Sequence, residues 1–547
     1  GVITAKMADN KINADIKKIK LNELLKLVSM PAILNGNING AALITALNDP
    51  NKRAGNVSIN INGGIINANE LNKMIGASLP KNVSFNSDIQ AALKGDNAEL
   101  KANLISEILN LNNLDASYNL AQNTAKANAQ ALVPDLAKFG NISGTKLSGQ
   151  IALNADIDAN LNNQKSPLKS ANVDIKAMDG IITANLDNGK LKAKIQNILV
   201  QNIFLMIGQK PLLNGELNGE LNLDSIDIAN LNGKGDIKLE NGVLNAANLK
   251  ELTNKEFPQN TTLNAHIKPT FTNSTVHFAS IISSNLATIN KFDGSYDINK
   301  NSLEALYSAD IPSLAKLEFL TGMKLNGALN PSGKISINES INATLNSDFI
   351  GSKLKIDIKD NKANLNLSTF EIAKLLEFLD FMPFYEGQAT LNANYNLDSA
   401  KGDFNADIAK GQLAKSGLTT LISTAIQKDI TKEVFKDGYL KGTIDLNLIN
   451  FITQLNSQKA NISIANGSLD TATKAINIPI TANIEKTDID IKITGTSDEP
   501  KYSISSNYIK EKINEEIGKG IDKLFDNDKE KSQGAKELIN GLQNLFN

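Results

Sequence analysis

His266 and His277 are the only imidazoles in the chain, Arg53 is the only guanidinium, and cysteine and tryptophan are absent. That inventory limits the available chemistry. Neither histidine sits in an HExxH pair, the spacing that puts two zinc ligands and a base on one helix face. Without thiolates, a zinc site would fall to imidazole and carboxylate alone, and no disulfide framework can form. Asp156-Ile157-Asp158-Ala159-Asn160 begins like a calcium loop, but its sixth position is Leu161 and its twelfth Pro167. The loop needs glycine and a bidentate glutamate at those places. The two aspartates read instead as the polar side of a strand, and Gly233-Lys234-Gly235 is too little for a phosphate loop. No catalytic residue, metal ligand or cofactor is assigned, and both histidines are expected at the surface of neighbouring strands. Carboxylate pairs suited to glycoside hydrolysis arise by chance among 58 acidic residues. A polysaccharide-acting β enzyme therefore stays open as an alternative, with few aromatic platforms because aromatics are 5% of the chain.

The elements that would position any site are repetitive. GNVSINING at residues 55–63 continues as GIINANEL, and residues 233–249 read GKGDIKLENGVLNAANL, at an offset of 233 − 55 = 178. The same offset carries LDASYNL at 114–120 onto FDGSYDI at 292–298, and VPDLAKF at 133–139 onto IPSLAKL at 311–317. Upstream it slips by one, so that GVITAKM at 1–7 matches GIITANL at 180–186. A weaker third copy shows in Asp9-Asn10-Lys11 against Asp360-Asn361-Lys362 and in NELLKLVSMP at 22–31 against AKLLEFLDFMP at 373–383. We divide the chain into a first unit (1–178), a second (179–351), a diverged third (352–505) and a tail (506–547). Repeats of this kind bury apolar surface against their neighbours, and 547 residues exceed what one compact core holds.

Within a unit, apolar and polar residues alternate with period two, the mark of strands with one apolar face. Asn-Gly-like pairs at Asn241-Gly242, Asn466-Gly467, Asp179-Gly180 and Asn188-Gly189 predict two-residue hairpin turns. A turn at Asn241-Gly242 would place Leu239 and Leu244 on one side. Repeat equivalents and flanking strands extend that side to Ile59, Ile61, Ile66, Leu217, Leu221, Leu223, Ile237, Ile408, Leu413, Ile462, Ile464 and Leu469. These fourteen residues are the candidate ligand-contacting wall. Short helices are predicted at 21–28, 196–207 and 370–381, with another inside 417–435. Ile509, Ile513, Ile517, Ile521 and Leu524 predict an amphipathic C-terminal helix with mixed charge opposite, read as a cap on the sheet. The expected fold is mostly β: a long, curved, twisted antiparallel sheet of about forty strands, forming an elongated groove of tandem repeats with few helices.

Bulk charge and hydropathy fit that picture. Basic residues number 56 against 58 acidic, a formal net charge of −2, which gives no footprint for nucleic acid. Hydrophobic residues are 41% of the chain, too many for a disordered polymer. No run of eighteen apolar residues occurs. The chain opens at Gly1 inside a strand pattern, so it is expected to be a fragment or processed product whose anchor lies outside it.

The order of a Leu-rich helix (22–28), a Leu-Asn-Gly strand (34–40) and a Gly-x-Ile-x-Leu-x-Asn-Gly strand (55–66), repeated at 196–207, 213–219 and 233–244, resembles the AsmA-like family. So does the closing segment 493–504, ITGTSDEPKYSI. The resemblance covers most of the chain. It implies a fold similar to that of bridge-like lipid-transfer proteins, whose long sheet forms an apolar trough. It further implies a periplasmic protein anchored in the inner membrane of a Gram-negative bacterium. Such a protein would hold or conduct lipid, phospholipid first, between inner and outer membranes in support of outer-membrane homeostasis. Its partners would be acyl chains, the membrane and envelope proteins at its ends. The family's pattern carries no catalytic residues. A secreted β-rich adhesin or structural solenoid is the other alternative.

Overall fold

The computed structural model describes residues 1–504 except 28, 50–51, 53, 76–78, 140, 143–144, 164–166, 228–229, 417–418, 421, 424–427, 486 and 498. The predicted C-terminal helix and Arg53 lie outside the described residues. The fold is mostly β. Among the described residues, a 31-stranded antiparallel sheet takes nearly all the strands, and Asn141–Ile142 pairs separately with Thr145–Lys146. The described residues form two compact units, one of Gly1–Asn285 with Asp297–Asn299 and one of Leu286–Tyr296 with the described residues from Lys300 onward.

Alternation in the sequence becomes alternation in exposure. Along Asn97–Ser106, residues are exposed and half-buried by turns, as a strand with one covered side requires. The repeats recur as elements. Asp9-Asn10, Asn188-Gly189 and Asp360-Asn361 all take positive φ (50° and 61°, 47° and 81°, 50° and 62°). Two left-handed residues make the hairpin turn whose twist matches the flanking strands. Each of the strands that follows runs into a helix of about two turns: Leu21–Leu27, Val200–Met206 and Ile372–Phe378. The predicted 196–207 and 370–381 helices start late, because Gln196–Leu199 and Phe370–Glu371 still belong to strands Lys190–Leu199 and Lys362–Glu371. Three α-helices were not predicted, Ala68–Ile75, Ala246–Thr253 and Glu318–Thr321. The last is a single turn, too short to display a periodic stripe. Asn245 caps the second, its Oδ1 accepting from the Asn248 backbone N–H at 3.1 Å. Within 417–435, the 3-10 turn Ile430–Lys432 is present.

The Asn-Gly pairs do something other than predicted. Asn188-Gly189 is a hairpin turn, and the neighbouring turn is Met178-Asp179, one residue before the predicted Asp179-Gly180. Asn241-Gly242 and Asn466-Gly467 are not turns at all. They lie inside strands Asn232–Leu244 and Ala460–Asp470, where the register shifts by one residue. These are β-bulges, one extra residue in one strand, and the first of them holds Asn241 left-handed with φ 53°. At position 242 a Cβ would lie 1.7 Å from the Leu263 carbonyl oxygen, so only glycine fits. One Asn-Gly signal serves two needs: in the turn Asn188 and Gly189 both take positive φ, and in the bulge Gly242 admits a close backbone approach.

The bulges explain much of the asparagine. A bulge leaves an amide without its ladder partner, and an asparagine from the adjacent strand takes it. Asn39 Oδ1 accepts from Lys18 N at 3.0 Å, and 179 residues on (218 − 39) Asn218 Oδ1 accepts from Asn197 N at 2.8 Å. Asn86 accepts from Gly63 N at 2.9 Å, Asn264 from Gly242 N at 3.3 Å and Asn103 from Asn113 N at 2.8 Å. Asn218→Ala should therefore cost about 1 kcal/mol, seen as a lower urea midpoint and faster exchange of the Asn197 amide. Asn366→Ala, which loses only an exposed pairing with Asn392, should cost about 0.5 kcal/mol or less. Equal costs would remove the capping role.

Candidate functional site

Register places the apolar residues in rows that cross the strands. In the compact unit of Gly1–Asn285 one row begins Ala5, Ala14, Ala42, Val57, Ala91 and Leu100. It continues through Ala116, Ala127, Ile157, Ala171 and Leu186. It ends with Leu191, Leu223, Gly233, Phe271 and Val276. Sixteen strands contribute and no polar side chain interrupts them. At ~4.8 Å between strands the row runs roughly 70 Å. The next row, one residue along each strand and hence on the opposite face, includes Asp15, Ser58, Gln90, Lys101, Asn128 and Asp156. Its one apolar member is Ala41. The other compact unit repeats the pattern through Ala305, Ile335, Ala343, Ile358, Ala363 and Tyr395. From there it runs on through Gly402, Ile444, Ile449, Leu469 and Ile476.

The fourteen predicted wall residues all fall on this face, though the bulge and not a turn puts Leu239 and Leu244 together. Their partners Leu217 and Leu213 stand four apart on the neighbouring strand, so the extra bulge residue restores the phase. The face is not uniformly open. Toward the helices of the first unit, Ile59, Ile61 and Ile66 join a packed cluster with Leu21, Ala68, Leu71 and Phe85. In the second unit Ile408, Leu413 and Ile462 pack against a core of Tyr385, Ile422, Ile430 and Phe435, so the segment after Leu413 lies over this stretch of sheet. Leu217, Leu221, Ile237, Leu239, Leu244, Ile464 and Leu469 are half-buried outside those clusters. The alanines and glycines of the rows went unselected because large aliphatic residues were weighted above small ones. The alternation in KINADI at residues 11–16 carries Ala14 as plainly as Ile12.

The opposite face holds the titratable groups. His266 Nε2 lies 2.9 and 3.0 Å from the two Asp236 carboxylate oxygens. That hydrogen bond holds the Asp236 carboxyl below its ordinary value. His277 stands across from Thr270 on the next strand. Asp156 accepts from Asn128 Nδ2 at 2.5 Å and Asp158 faces Lys126 at 3.8 Å, two aspartates on one polar strand face. Among the described residues no group of three His, Cys, Asp or Glu is placed to hold a metal ion. A depression of about 570 Å³ also lies on this face, where Ala41 and Ala92 sit low among Asn56, Gln90, Glu99 and Lys101. Among the described residues no helix is long and apolar enough to cross a membrane.

No protein-family model matches the chain, and no curated protein matches it.

Because cysteine is absent, single cysteines can report which parts of the apolar face are open. Ala42→Cys and Ala127→Cys, both half-buried on the long row, should react with a maleimide in the native protein. Ala389→Cys and Ala482→Cys, at 3% and 2% exposure within packed clusters, should react only after denaturant is added. Equal native reactivity at all four would mean the two regions are covered alike.

Proposed function

We propose that the chain is a non-enzymatic scaffold that holds or conducts lipid along its apolar face. The observation that carries this reading is the unbroken apolar row across sixteen strands, most of it half-buried, with Ala171, Leu186 and Leu223 buried, and with polar rows on the other side. A lipid tail of ~16 methylenes loses on the order of 12 kcal/mol when exposed to water, at ~0.8 kcal/mol per CH₂. A continuous apolar strip removes much of that cost at every position along a path and needs no specific contact. Repetition of the unit lengthens such a strip, which serves a conduit. The AsmA-like resemblance supplies the setting we propose with it: the periplasm of a Gram-negative bacterium, anchorage in the inner membrane, and phospholipid as cargo for the outer membrane.

A closed solenoid would pack both sides of its apolar rows. The half-exposed side chains of the first unit favour the open reading over it. The polysaccharide-acting alternative is disfavoured by the sparse aromatics noted above.

The test introduces charge into the strip. Leu221→Lys with Leu239→Lys should strip co-purifying lipid, measured by detergent-free native mass spectrometry, while circular dichroism still reports the sheet. Asn222→Lys, one residue off on the polar face, should leave lipid loading unchanged. Full loading of the double variant in a folded protein would end the proposal.

A further inference from the structure

Asn-Gly occurs eleven times in the chain, and ten of the pairs lie among the described residues. The dipeptide carries a latent reaction. The backbone nitrogen after an asparagine attacks that asparagine's side-chain carbonyl carbon, and glycine, without a Cβ, crowds the nitrogen least. A C–N bond forms and the nitrogen gives up its proton. The Cγ–Nδ2 bond breaks, and Nδ2 takes a proton and leaves as ammonia. Water then opens the cyclic imide at either carbonyl, giving aspartate or isoaspartate. Closure needs a free nucleophile, a free side chain and a peptide unit between them that rotates.

Nine of the ten pairs are denied at least one of these. In two bulges the nucleophile is held: Gly63 N donates to Asn86 Oδ1 at 2.9 Å and Gly242 N to Asn264 Oδ1 at 3.3 Å. Gly215 N donates to Gln201 Oε1 at 3.2 Å. Elsewhere the side chain is held. Asn39 and Asn218 accept backbone amides through Oδ1, and Asn326 Nδ2 donates to Glu377 O at 3.0 Å and Asp380 Oδ1 at 2.8 Å. Asn232-Gly233 and Asn466-Gly467 lie within paired strands. Asn35 pairs with Ile65, and the carbonyl of Gly36 accepts from Leu21 N at 2.9 Å.

Asn188-Gly189 is the exception. It is the turn between strands Gly180–Asp187 and Lys190–Leu199, closed by the pair Asp187 and Lys190, so the Gly189 N–H lies outside the ladder. Asn188 is exposed. Its side chain donates from Nδ2 to the exposed Asp187 at 2.9 Å, which leaves Cγ open to attack. The Asn188 backbone N–H donates to Lys169 O at 2.8 Å, but that group belongs to the preceding peptide unit. The unit that must rotate opens without breaking a rung, as a turn does and a strand interior does not. The equivalent turns Asp9-Asn10 and Asp360-Asn361 are followed by Lys11 and Lys362, so this copy alone puts the reactive order in a turn.

We propose that Asn188 is a site of spontaneous deamidation in the folded chain, reacting ahead of the nine other described Asn-Gly pairs. Isoaspartate lengthens the main chain of the turn by one carbon, and either product sets a second carboxylate beside Asp187. Leu186 and Leu191, the next pair inward, belong to the long apolar row, so the modification acts on the register of that row. The proposal does not depend on what occupies the apolar face.

The test holds the whole chain at mildly alkaline pH, in buffer and in unfolding urea. Digests are then mapped by mass spectrometry with fragmentation that separates isoaspartate from aspartate. In buffer Asn188 should convert at least about tenfold faster than any other described pair, whereas in urea the ten should convert alike. Asn188→Gly, which also accepts the positive φ of the turn, should leave the other nine intact over the same interval. Hydrogen exchange at Leu186 and Leu191 should quicken in the converted fraction. Another described pair keeping pace with Asn188 in buffer, or Asn188 intact in the folded chain once urea has converted it, overturns the site. Unchanged exchange at Leu186 and Leu191 overturns the effect on register.

Discussion

Register is the constraint on which the rest depends. A strand shows alternate residues to opposite faces, so a slip of one residue moves every apolar side chain to the polar side. A row such as Ala5 to Val276 survives sixteen strands only if each pairing keeps phase with the last. A β-bulge, which adds one residue to one strand, threatens that phase. Leu239 and Leu244 show how it is absorbed. Their odd spacing of five would split them between faces in a regular strand, and the bulge at Asn241-Gly242 rejoins them opposite Leu217 and Leu213. Ile61 and Ile66 do the same around Gly63, 178 residues earlier (239 − 61).

Asparagine maintains this phase. It tolerates left-handed φ better than other residues with a Cβ, so it occupies turn and bulge positions such as Asn10, Asn113, Asn197 and Asn361. Its carbonyl takes the amide that a bulge strands, and its amide group pairs across the polar face, as Asn185 does with Asn172 at 2.5 Å and Asn119 with Asn97 at 2.9 Å. The composition that looked idle from a catalytic standpoint is therefore spent on geometry. Uncharged amides also let polar rows stack at strand spacing without the repulsion that like charges directly across would bring.

The alternation of single residues made strand class, antiparallel order and the apolar side legible in the sequence, because period two survives translation into backbone geometry. The three short helices that follow hairpins were legible as Leu-rich clusters, but their starts were not. Ile198 and Leu199 satisfy a strand face and a helix stripe equally, and only the pairing of Leu199 with Glu216 decides for the strand. Asn241-Gly242 misled for a related reason: turn and bulge both favour the same residue pair, one for two left-handed residues and the other for a glycine at a close backbone approach, and the difference lies in whether a neighbouring strand continues past them. Coverage of the face was not legible at all. Leu413 and Leu469 look alike in the alternation, yet Leu413 lies against Phe435 and its cluster while Leu469 does not. That distinction depends on where a later segment folds back.

The rows also differ in size across the strands. On the first strands a middle row is built of Ala5, Ala14, Ala42, Val57 and Ala91, between a row of Met7, Ile12, Ile44 and Leu93 nearer the hairpin turns and a row of Ile16, Ile59 and Ile89 around Gly40 nearer the helices. Larger side chains meet the helix Leu21–Leu27 and its neighbours and fill space there, as close packing requires. Small ones leave room above the sheet where no helix reaches. A ligand drawn to this face by its apolar surface would then sit along the alanine row rather than against the helices. Its depth would be set by residues that contribute little apolar area themselves.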